Sequence, residues 1–201
     1  AVNDGSGRFA PLLREDLGDP QLPPGRGMFT DRIRSGDFDN DGDLDLLVHY
    51  RFDAAFREAS GVVGGDFADG NWYQLLLNEG PDGYVDASER IGGQEDGELL
   101  ARGDPFDLDA VDLDADGDLD LVDRNFDPLT FTDVNHWWEN DGTGTFAKLP
   151  GGPSAPFDLG STFADVNGDW LPDIVTLMPR YKIPALGVEF GAEGADVHHV
   201  T

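Results

Sequence analysis

Cysteine is absent from the 201 residues, which excludes a disulfide scaffold, thiolate zinc sites and thiol catalysis together. The compartment stays open on that ground, because an exported protein need not carry disulfides. Positive charge is nearly as scarce: 13 basic residues, only two of them lysine (Lys148 and Lys182), stand against 41 acidic ones and leave a formal charge of −28. A chain with no basic face is not expected to bind nucleic acid or to dock on anionic lipid. No apolar run approaches the roughly 20 residues that cross a bilayer, so membrane insertion is not expected either. No basic–apolar–small pattern follows Ala1; the expectation is a leader already removed, or a piece of a longer polypeptide. Glutamate is also thin, with 9 against 32 aspartates. Helical surfaces draw on Glu, whereas Asp favours turns and oxygen-ligand loops, so the bias predicts a loop-rich β protein. The 27 glycines and 13 prolines agree with it, and 39% hydrophobic content is enough to build a core.

What is present is repetition. "DFDNDGDLDLLV" from Asp37, "DLDADGDLDLVD" from Asp112 and "DVNGDWLPDIVT" from Asp165 align with one another. A second element recurs out of phase: "NWYQLLLNEGPDGYVDAS" (71–88), "NHWWENDGTGTFAKL" (135–149) and "GVEFGAEGADVHHVT" (187–201) each read as strand, glycine-rich turn, strand. The opening "NDGSGRFAPLL" (3–13) resembles the second half of that element standing alone. After each aspartate loop comes a short β run, with Leu44, Leu46 and Val48, then Leu119 and Leu121, on one face. "DIVTLM" reads as a strand buried on both sides. "RFDAAFREAS" (51–60) could form a couple of helical turns inside an insertion at 51–70. Each unit then runs strand, aspartate loop, strand, connection, hairpin.

The aspartate loops carry the chemistry. Ca²⁺ takes about six to eight oxygen ligands in a flexible cage, and alternate residues of one loop can turn that many inward. In the first loop Asp37, Asp39 and Asp41 supply carboxylates at positions 1, 3 and 5, the carbonyl of Asp43 serves at position 7, and Asp45 closes at position 9. Gly42 at position 6 permits the reversal that a Cβ would resist. The second loop repeats the set with Asp112, Asp114, Asp116, Asp118 and Asp120 around Gly117. Four inward carboxylates repel one another, and a bound Ca²⁺ reduces a charge of about −4 to about −2. The third loop offers Asp165, Asn167, Asp169, the carbonyl of Leu171, and Asp173, with its glycine moved to position 4 (Gly168) and Trp170 at position 6. It has one carboxylate fewer and a bulky residue at the tightest point, so a weaker site is expected there.

An EF-hand would need a bidentate Glu at position 12 and flanking helices. Position 12 is Val48, Asp123 or Thr176, and the flanks are β-like. Closure at position 9 followed at once by a strand resembles instead the FG-GAP/VCBS repeat family, the integrin-α-like β-propeller blades with a D-x-[DN]-x-D-G-x-x-D loop. The loops at Asp37 and Asp112 match at every position, the third departs at Trp170, and "NDGTGTF" is similar to the family's hairpin turn. The resemblance implies an all-β protein of four-stranded antiparallel propeller blades with structural Ca²⁺. It divides the chain into an outer strand and linker at 1–28, one blade at 29–95, a second at 96–152 and a third at 153–201. It further implies adhesion or recognition of protein or glycan outside the cytosol. Closed propellers generally need about four to eight blades, so three imply a partial ring completed by other chains or by the rest of a longer polypeptide.

Candidates for catalysis are few. His49 and His136 lie in β-like runs, and the pair His198–His199 reads as an ordinary strand end before it reads as a transition-metal site. The conspicuous acid pairs are assigned to metal, so no enzymatic role is expected. Trp137 and Trp138 are adjacent on one strand and must face opposite ways. They are expected to pack between blades, with a sugar-stacking or protein-anchoring surface as the functional alternative. The acidity exceeds what three loops require, which fits either a saline habitat or a basic partner.

Overall fold

A computed structural model describes residues 2–3, 9–10, 29–52, 70–94, 100, 104–127, 132–133, 135–150, 161–178, 181–183, 188–190 and 194–199. These form antiparallel sheets with almost no helix; the helical content among them is two single 3-10 turns, Gly80–Asp82 and Ser88–Arg90.

At the start of the chain β1 (Val2–Asn3) pairs with β2 (Phe9–Ala10). The element expected as a lone outer strand is therefore a pair of short antiparallel strands, Val2 opposite Ala10 and Asn3 opposite Phe9. The first large sheet is a four-stranded meander of β3 (Phe29–Gly36), β4 (Asp45–Phe52), β5 (Gly70–Asn78) and β6 (Tyr84–Asp86). The second repeats it with β7 (Asp104–Val111), β8 (Asp120–Asp127), β9 (Thr132–Asp133), β10 (His136–Asn140) and β11 (Phe146–Lys148). Here β9 and β10 lie along the same edge of β8, so the order is again four strands deep, β7-β8-β10-β11.

The third repeat departs from this plan. β12 (Ser161–Ala164) pairs with β13 (Asp173–Met178) as expected. β14 (Tyr181–Ile183) and β15 (Val188–Phe190) then form a two-stranded sheet of their own, and β16 (Gly194–His199) returns to the other edge of β13. The hairpin expected at 187–201 does not form, because its two strands belong to different sheets. β13 takes a partner on each edge, β12 on one and β16 on the other. None of these sheets closes on itself. The expected helical turns at 51–60 and the insertion at 51–70 lie outside the described residues, apart from Arg51 and Phe52 in β4 and Gly70 in β5.

Strand alternation sends side chains to two separate cores. Phe38, Leu47, Tyr73, Leu75, Leu121 and Trp138 belong to the layer shared by the first and second sheets. Val122, Trp137 and Ile174 form a second layer shared with the third sheet, joined by Phe163. The neighbours Leu121 and Val122 on β8, and Trp138 and Trp137 on β10, thus face opposite layers. Trp138 stands edge-on to Tyr73 at 4.9 Å and Trp137 edge-on to Phe163 at 6.3 Å. Each indole removes about 200 Å² from water, worth roughly 5 kcal/mol. At 2% and 0% exposure the pair packs between sheets, as expected, and presents no stacking face to a ligand, so the functional alternative of a sugar platform at Trp137 and Trp138 finds no support. Of the face expected at Leu44, Leu46 and Val48, Val48 is buried and Leu46 partly so, whereas Leu44 precedes β4 and is exposed, and Leu47 on the opposite face also enters the core.

The first two sheets are stitched as well as packed. Ile91 bridges Phe146 in parallel, Gly92 N–H donates to the Phe146 carbonyl at 2.8 Å, and Trp138 Nε1 donates to the Gly92 carbonyl at 2.8 Å. β3 lies against β7, and a Cβ at Gly36 would stand 2.7 Å from Leu119 Cδ1, so a larger residue there would push the Leu119 side chain aside.

Candidate metal centre

The three aspartate loops span the same gap. Gly36 pairs with Asp45, Val111 with Asp120 and Ala164 with Asp173, so each loop leaves and re-enters its sheet at one register. Within that frame the first carboxylate folds the loop around itself. Asp37 accepts the amides of Asp41 and Gly42, both at 3.1 Å, and Asp112 accepts those of Asp116 and Gly117, both at 3.1 Å. Asp165 accepts those of Asp169 at 3.2 Å and Trp170 at 3.0 Å. The ninth residue ties the loop to its neighbours. Asp45 accepts the amides of Phe38 at 2.7 Å and Asn78 at 2.8 Å; Asp120 accepts those of Leu113 and Asn140, both at 2.8 Å. Asp173 accepts the Val166 amide at 3.0 Å. All three closing aspartates are buried.

Two backbone positions per loop take left-handed angles. Position 6 does so at Gly42 (φ 95°), Gly117 (φ 102°) and Trp170 (φ 72°), and position 4 at Asn40 (φ 59°), Ala115 (φ 62°) and Gly168 (φ 83°). The third loop's glycine therefore relieves one of two strained positions and leaves an indole in the other.

Carboxylates converge in the first two loops. Ligand oxygens of Asp37, Asp39 and Asp45 lie within 4.8 Å of one another, as do those of Asp112, Asp114 and Asp116. Either group could hold a metal ion. Asp39 Oδ1 is buried with no hydrogen-bond partner, and an orphaned carboxylate oxygen aimed among other carboxylates fits a cation. Burial first, and then the Asp41 charge, raise the Asp39 pKa. Burial raises Asp45 against the opposing amide bonds from Asn78 and Phe38, and it pushes Asp120 up to about 6. These acids resist ionisation without a counter-charge.

Not every expected ligand joins these groups. Asp41 is absent from the first group although it accepts the Asp43 amide at 2.8 Å just as Asp116, a member of the second, accepts the Asp118 amide at 3.0 Å. Asp120 accepts two amides as Asp45 does, but it is not among the three residues of the second group. Asp165, Asp169 and Asp173 do not gather within the same distance. There the Asn167 amide donates to Asp169 at 2.9 Å and reaches Asp173 at 3.5 Å, putting a neutral donor where the other loops have a third carboxylate. The Leu171 amide caps Asp169 at 2.9 Å.

Sequence reasoning passed over Asn40, Asn78 and Asn140. The recurrence of Asn at the head of "NEGPDGY" and "NDGTGTF" was the available signal, because that residue's amide meets the closing aspartate in both repeats. Trp170 is the indole that stands exposed, at 87%. No protein family, curated protein or solved structure matches the chain.

Proposed function

We propose that this chain is a calcium-stabilised, propeller-type module of the FG-GAP/VCBS kind that binds or assembles outside the cytosol and has no catalytic role of its own. The observation that carries this reading is the threefold recurrence of one loop frame, with its first carboxylate folded on the amides of positions 5 and 6 and its buried ninth carboxylate tied to the amide of position 2. Asp37, Asp39 and Asp45 would hold one ion and Asp112, Asp114 and Asp116 another, with Asp41, Asp120 and the carbonyls of Asp43 and Asp118 available to complete the shells. A bound Ca²⁺ supplies the charge that lets these carboxylates ionise together, and so fixes each inter-strand turn. The third loop, with Asp165, Asn167, Asp169, Leu171 and Asp173, is the weakest of the three.

The test is thermal unfolding with calcium and with a chelator. Chelation is expected to lower the melting temperature by several degrees, since ligand linkage is worth about 2.7 kcal/mol at a hundredfold excess over Kd and each 1 kcal/mol moves a domain of this size by roughly 2–4 °C. Asp39→Ala and Asp114→Ala should each reproduce part of the loss. An unmoved melting curve sinks the reading.

The partner is taken to be other protein chains or the remainder of a longer polypeptide. Supporting this, Phe38 at position 2 of the first loop is fully buried, whereas its equivalent Val166 is 52% exposed in the loop that also exposes Trp170. Glycan recognition is the second reading, favoured now by exposed Trp170 instead of by Trp137 or Trp138.

A further inference from the structure

We infer that the cages at 37–45 and 112–120 are energetically coupled, so that filling one tightens the other, through two asparagines that belong to neither ligand set. The inference rests on reading both loops as divalent-cation cages. Asn140, at the head of the second sheet's hairpin, serves both loops at once. Its backbone N–H donates to Asp120 Oδ1 at 2.8 Å, and its side-chain Nδ2 donates to the Leu119 carbonyl at 3.1 Å and, across the sheet boundary, to the Phe38 carbonyl at 2.8 Å. Asn140 Oδ1 accepts the Gly142 amide at 3.2 Å. Asn40 reaches the other way from the tip of the first loop: its Nδ2 donates to Asp118 Oδ1 at 2.5 Å and to the Gly142 carbonyl at 3.3 Å. Gly142 thus links the two asparagines, its amide donating to Asn140 and its carbonyl accepting from Asn40.

The sign follows from what an ion does to these groups. Binding in the first loop orders the backbone from Asp37 to Asp45, including the Phe38 carbonyl and the Asn40 backbone that carry the cross-boundary bonds. Ordering them orders Asn140 and Asp118, and Asp118 supplies the seventh position of the second loop. The second ion then has less disorder to remove, which is positive coupling in its general form. Repulsion between the two ions works against this. It is screened beyond about 8 Å at physiological ionic strength, whereas the buried Asn140–Phe38 hydrogen bond is not; the Asn40 bonds lie at the surface. The corresponding link from second to third loop is missing at its first step, since position 4 there is Ala115, which has no amide to extend.

Calorimetric titration with Ca²⁺ alone, at about 0.15 M salt, tests this on the full chain carrying Asp165→Asn, so that two cages report. Emptying the second loop with Asp114→Asn and Asp116→Asn is expected to weaken the first by about fivefold or more. Asn40→Gly removes the bridging amide while suiting the φ of 59° at that residue; it should keep both sites and bring the coupling factor toward one. A first-loop affinity within about twofold of the parent after the second loop is emptied overturns the coupling, and a coupling factor unchanged by Asn40→Gly overturns its assignment to this contact. Absence of any calcium heat in the parent chain would instead remove the cages themselves, a distinct result.

Discussion

At residue scale, Trp170 sets side chain against backbone. Its φ of 72° belongs to a region taken by glycine at the equivalent Gly42 and Gly117, and a left-handed angle costs an L-residue about 1–2 kcal/mol. At 87% exposure the indole regains nothing by burial. Trp170→Gly is therefore predicted to stabilise the isolated chain by about 0.5–1 kcal/mol, after allowing for the extra unfolded-state freedom of glycine. Thermal melting of the two chains checks it. A lower melting temperature would mean the indole already rests on something within the molecule. The displaced glycine of this loop was legible in the sequence, but the second left-handed position was not. Asn40 tolerates that angle and Ala115 gives no sign of adopting it, so residue types alone did not expose the constraint.

At the scale of elements, the aspartate at the head of each middle strand governs how its loop meets its sheet. Asp120 begins β8, and its two oxygens hold the loop at Leu113 and the end of β10 at Asn140. Burial raises its pKa to about 6 from an ordinary 3.8. In the metal-free protein the folded state therefore binds this proton more tightly than the unfolded state does. Its contribution to stability rises as pH falls from 7 through 6 toward 4. A bound cation requires the ionised form, so stabilisation by calcium is lost over the same window. The melting-temperature gap between calcium-loaded and chelated protein is predicted to shrink between pH 7.5 and pH 5, and a gap that stays constant would mean Asp120 is no part of the cage. Loop and flanking strand were readable together, because aspartates at alternate positions followed by alternating leucines admit few other structures. Strand partnership was less so: β13 announces burial on both faces, yet nothing in "DIVTLM" says that β16, not a 187–201 hairpin, takes its second edge.

Over the whole molecule, the apolar residue at position 2 of the loops tracks how each unit is covered. Phe38 is sealed against Phe146 of the next sheet, with ring centroids 5.9 Å apart, Leu113 packs partly buried against the second core, and Val166 is half exposed. The same chemical choice repeats while its cover thins along the chain. Adjacent tryptophans hinted at stacked layers in the sequence, since β geometry sends them to opposite faces; which layers they fill depended on contacts between units far apart in the chain. If the face around Val166 and Trp170 receives another unit of the same build, sedimentation velocity should show concentration-dependent association that Val166→Asp removes, while calcium-dependent melting of that variant stays within a degree or two of the parent. A chain that remains a compact monomer at every concentration defeats self-association. Glycan-array binding lost on Trp170→Ala would then assign the exposed indole to a sugar, because an aromatic face stacks on a pyranose ring as readily as on a neighbouring phenyl, and only the partner's identity separates the two uses.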